Sequence, residues 1–137
     1  MSNSEAGKCF YADEFKDYRS MVINLCWTEK LWLTHLNKHP EIIDPRHTSK
    51  LINEAIVEPS LVLTGYRPGS AMEMLVCYYK EHKRNGSNIY YSKVVVGCSG
   101  PELYVKTVFM GWALPLYAVQ EKKYNFKELH RDNKTFL

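Results

Sequence analysis

The sequence predicts an α+β domain in which N-terminal helices pack on a four-stranded antiparallel sheet, a meander. Three observations carry that expectation. Residues 27–41, WTEKLWLTHLNKHPE, place apolar side chains at helical spacing and end on a proline. Residues 49–57 repeat the helical period more briefly. From Leu61 onward the period shortens to that of strands, and turn chemistry separates the runs.

The first helix organises the rest. At about 100° per residue, Leu31, Trp32 and Leu36 fall on one arc, with Glu29, Lys30, Thr34 and Asn37 opposite. His35 and His39 lie one turn apart in the middle of the apolar arc, so they aim at whatever the helix packs against. Thr28 is the expected N-cap, and Pro40 stops the helix with His39 on its last turn. Upstream, Phe10, Tyr11, Phe15 and Tyr18 recur at short intervals among charges. Residues 1–20 are therefore expected to be an extension carrying a short surface helix. Residues 21–26, MVINLC, fit either a strand or a lead-in to the main helix.

Beyond Pro40, Pro45 keeps Asp44 extended, and Thr48 or Ser49 caps a second helix with Leu51, Ile52, Ala55 and Ile56 on one side. Pro59 ends it. Residues 61–67, 73–81, 89–98 and 103–111 are rich in β-branched and aromatic side chains, divided by RPGS, HKRNGSN and SGPE. Short connections between successive strands imply antiparallel neighbours. Residues 21–119 then form one domain, followed by a basic tail at 120–137 that is either a short helix around residues 126–130 or loose.

The chain of 137 residues is 45% apolar and 24% charged, enough for a packed core without staples. Its net charge of +3 permits a polyanionic partner without demanding one. Cys9, Cys26, Cys77 and Cys98 are scattered with no metal-ligand spacing. The simplest reading is four reduced thiols in a cytoplasmic protein, with no membrane segment. His35 and His39 are spaced like metal ligands, but Leu36 stands where H-E-x-x-H needs Glu, so no metal is expected. No phosphate-binding glycine loop or esterase elbow occurs.

Several of these residues carry a resemblance. The helix ending in His35, His39, Pro40 and Glu41, the helix closing in Glu58 to Ser60, the Tyr78 to Lys80 strand, the Val94 to Val96 strand and the Val105 to Val108 strand resemble the barnase/EndoU/colicin/RelE superfamily of nucleases, in particular its phage-associated branch. The match spans residues 27–112 and rests on element order and spacing. The resemblance implies a toxin or phage effector that cleaves RNA without metal or cofactor. The ribose 2′-hydroxyl would attack the adjacent phosphate and leave a cyclic phosphate. It also implies a protein inhibitor or antitoxin as partner.

On that reading His35 matches the family's helical histidine and Thr107 its phosphate-binding strand hydroxyl. From the residues themselves, His35 and His39 can divide acid and base roles near neutral pH. Arg46 or Lys80 can neutralise the phosphate, and Tyr79 or a neighbouring tyrosine can stack a base. The alternative is a non-catalytic module binding RNA or protein on the same scaffold. An open His35 near Arg46 and Thr107 favours the enzyme; a His35 sealed under Trp32 favours the binder.

Overall fold

The structure is a computed structural model and describes residues 8–38, 44–66, 73–86, 88–113 and 125–132. Its elements run β1 (Tyr11–Lys16), β2 (Val22–Trp27), α1 (Glu29–Lys38), α2 (Pro45–Val57), β3 (Leu61–Tyr66), β4 (Met74–Asn85), β5 (Asn88–Ser99), β6 (Glu102–Ala113) and β7 (Lys127–Arg131). The strands form one sheet in the order β1-β2-β6-β5-β4-β3-β7.

This corrects the predicted fold class. Among the described residues the sheet has seven strands rather than four, and it is mixed, because β2 runs parallel to β6 through Ile23 and Leu103. The expected helix near the N-terminus is strand β1. Its core contacts come from Tyr11 and Phe15, and a spacing of four is even, so it fits a strand face as well as a helix face. At the other edge, residues 127–131 pair antiparallel with β3 instead of forming a tail helix. Their sequence, KELHR, has no strand signature. They are docked by Phe126, whose ring lies where a Cβ on Gly65 would come within 2.5 Å, so only glycine fits at that point of β3.

Local chemistry explains the helix limits. Thr28 caps α1 by accepting a hydrogen bond from the Leu31 amide at 3.2 Å. Asp44, extended at φ −141°, caps α2 by accepting from the Arg46 amide, with Pro45 in the first turn. The cap therefore lies four or five residues before the predicted Thr48 or Ser49. The Asp-Pro pair is itself the start signal, since proline's fixed φ suits the first helical position.

The hairpin β4–β5 is longer than predicted. Asn85 pairs with Asn88, and Gly86 supplies the left-handed backbone at φ 62° that a tight turn needs. Both helices cover one sheet face, where Ile23, Leu25, Trp27, Trp32, Ile52, Ile56, Tyr78, Val94, Val96 and Val108 form the main core. Leu61, Leu63, Cys77 and Tyr79 form a smaller buried cluster on the opposite face.

Asp17 ties the β1–β2 turn to the core. Its carboxylate is wholly buried and accepts from the Tyr78 hydroxyl at 2.7 Å, from the Arg19 guanidinium at 3.1 Å, and from the Arg19 and Met21 amides. The two amide bonds hold Ser20 at φ 66°, a conformation that a serine adopts only when locked.

The expected set of four reduced thiols is also corrected. Cys9 and Cys26 form a disulfide, with Cα atoms 5.3 Å apart, while Cys77 and Cys98 stay in the thiol form. Cys9 lies just before β1 and Cys26 near the end of β2, so the hairpin rather than the sequence spacing brings them together. Among the described residues, no helix is long and apolar enough to cross a membrane.

Candidate functional site

The residues proposed from sequence do not converge. His35 does face inward from α1, as its position on the apolar arc predicts, but it is 5% exposed. Its ring lies 4.9 Å from that of Trp27 and 5.7 Å from that of Trp32. Thr107 pairs with Val95, which shares its face with Cys77 and Leu63 of the smaller cluster. His35 and Thr107 therefore lie on opposite sides of the sheet.

Tyr79 is fully buried on the same side as Thr107, with Lys93 Nζ 5.4 Å from its ring centre, and has no surface on which a base could stack. Arg46 is exposed on the first turn of α2. His39 lies outside the described residues. Of the five described residues, Lys80 sits in a cleft. Its ammonium donates to the Glu58 carbonyl at 2.7 Å and lines a recess of about 310 Å³ with Asn53, Glu54, Val57 and Glu58.

A different group assembles where the helix-side face of the sheet runs on past the core. Pairing Lys80 with Ser92, Lys83 with Tyr90 and Tyr90 with Trp112 puts these side chains on one face, in line with Tyr78, Val94 and Val108. The Tyr90 and Trp112 rings pack at 5.1 Å, tilted 43° to each other. Trp112 is 48% exposed. Lys83 Nζ sits over both rings, at 5.5 and 5.6 Å, and no carboxylate pairs with it among the described residues. The result is an open aromatic step with a cation above it, polarised to attract an anion while leaving ring surface to solvent.

His82 adjoins this step. It is the extra residue of a bulge between Glu81 and Lys83, which turns its ring to the Tyr90 side at 5.9 Å. It shares a 2.9 Å hydrogen bond with the buried Ser92 hydroxyl. Burial pushes the His82 imidazole below its ordinary pKa; Glu54 opposes that shift and Lys80 adds to it. The ring is thus held neutral at physiological pH.

The sign of this shift makes a prediction. The unfolded chain takes up a proton near pH 6.5 while folded His82 resists it, so stability falls as pH drops below about 6.5. Denaturant midpoints for wild type and His82→Gln at pH 7.5 and 5 check this. The loss on acidification should be smaller in the variant, and equal losses would contradict the assignment.

Sequence reasoning passed over His82, Lys83 and Trp112. Its only handle on them was the tyrosine pairs, whose members face opposite sides of the sheet. Among the described residues, no group of three His, Cys, Asp or Glu side chains could hold a metal ion. No family model, curated protein or solved structure matches the chain.

Proposed function

We propose that this protein is a non-catalytic module that binds single-stranded RNA on the Lys83–Tyr90–Trp112 step. The observation that carries the reading is the exposed Trp112 ring packed against Tyr90 beneath a lysine that, among the described residues, pairs with no carboxylate. An unpaired base can stack on the open Trp112 face while its phosphate meets the ammonium, a combination that tolerates any base. Lys80 lies on the same face, with its charge shared with the Glu58 carboxylate at 3.9 Å.

The sealing of His35 between Trp27 and Trp32 argues against cleavage there, since a general base must come within hydrogen-bond reach of the hydroxyl it deprotonates.

One observation favours a second reading, in which the nuclease resemblance is functional. His82 is neutral, oriented by Ser92 and close to Lys80, which suits a general base for 2′-hydroxyl attack. Incubation of single-stranded RNA with wild-type protein in EDTA separates the two. The binding reading expects a retarded complex and intact RNA. Cleavage to cyclic-phosphate ends that is lost in His82→Ala and kept in His35→Ala would replace it with the second reading.

A further inference from the structure

We infer that the Cys9–Cys26 disulfide is a reducible latch that holds the start of β1 over the Trp27–Trp32–His35 cluster, opened by an external dithiol. The hairpin that carries it is fastened at both ends by unlike means. At the turn end, the buried Asp17 network and the Tyr18 amide, which donates to the Ile56 carbonyl at 2.8 Å, fix residues 17–21 to the core. At the open end stand the disulfide, the Phe10 amide donating to the Trp27 carbonyl at 2.9 Å, and the edge-on packing of Phe10 against Trp32 at 6.5 Å.

Between these ends only Phe15 is buried, and among the described residues β1 is an outer strand paired with β2 alone. Both bridged cysteines are exposed, as is Phe10, so a reductant can reach the sulfurs without prior unfolding. Opening the bridge releases residues 9–13 as far as the Phe15 anchor. It also uncovers the edge of Trp32 where the chain enters α1.

The chemistry is ordinary exchange. A thiolate of the dithiol attacks one sulfur, forming a mixed disulfide and expelling the other cysteine as a thiolate. The second thiol of the reductant then displaces the first protein sulfur. Two electrons and two protons pass to the protein, which gains two thiols, and the reductant leaves as a cyclic disulfide.

Hydrogen exchange on the full-length oxidised chain, before and after dithiothreitol, tests the latch, with thiol counting at each stage. The expected count is two thiols before reduction and four after. Amides of residues 10–13 should exchange about a hundredfold faster once reduced, the scale set by closing a loop of this length. Amides of residues 15–18 should keep their protection, tryptophan emission should shift to the red, and reoxidation should reverse all of this. A Cys9→Ser, Cys26→Ser double variant should match the reduced state. Four thiols in the untreated protein, unchanged exchange at residues 10–13, or cooperative unfolding of the whole chain on reduction would each overturn the inference.

Discussion

Replacing Asp17 by alanine is expected to lower the unfolding free energy by about 3 kcal/mol, with the loss read as a shift of the denaturant midpoint at unchanged slope. The carboxylate has no exposed surface, and its removal leaves the Tyr78 O–H without its acceptor inside the main core, with only the 3.4 Å contact from Arg19 to its oxygen, and leaves the Arg19 guanidinium without its anion. Arg19 keeps about a third of its surface, so water recovers part of its solvation and the cost stays near the lower end for a broken buried pair. The Arg19 and Met21 amides also lose their acceptor, and with it the lock on Ser20. Asp17→Asn keeps an acceptor for those amides and should cost less. A loss below about 1 kcal/mol for the alanine variant, the size of a surface ion pair, would contradict this description of the turn.

Replacing Trp112 by alanine is expected to weaken binding of single-stranded RNA by about 5- to 150-fold, the equivalent of the ~1–3 kcal/mol that one stacked base contributes. The side chain is half exposed at the end of β6, so the change should leave thermal stability nearly untouched and isolates the surface effect. Trp112→Phe keeps a stacking face and should recover most of the affinity. Lys83→Ala should act differently. With one fewer phosphate neutralised, the slope of log affinity against log salt should become shallower by about 0.7. Equal affinity of wild type and Trp112→Ala, measured in the same salt, would remove the stack from the interface.

Much of the middle of the molecule was legible because hydrophobic period and turn residues agree there. The Thr28 cap, the inward aim of His35 and the positions of the strands flanking Gly86 and Gly100 follow from side-chain spacing and backbone preference alone. The outer strands were not legible. β1 buries one residue, and β7 is held by main-chain pairing and by Phe126 over Gly65, so neither shows the alternation that marks a two-sided strand. The disulfide depends on that unread hairpin, and its loss from the prediction was a consequence.

The candidate site failed for a related reason. Residues 82–86, HKRNG, contain strong turn formers, yet all but Gly86 belong to β4, and a bulge that shifts register leaves no mark on the pattern. His82 therefore read as a loop residue. His35 drew attention by its position on the apolar arc, but periodicity carries no information on which rings close over a side chain. Trp27 and Trp32 decide that in three dimensions.

The most direct test is a fluorescence anisotropy titration of a labelled single-stranded oligoribonucleotide with wild-type protein in EDTA, run beside its fully paired duplex and beside Trp112→Ala. Saturable binding of the single strand, weaker binding of the duplex whose bases are already stacked, and loss of affinity in the variant are the predicted results. Failure of the wild type to bind the single strand, or equal binding of single strand and duplex with no effect of Trp112→Ala, would contradict the account.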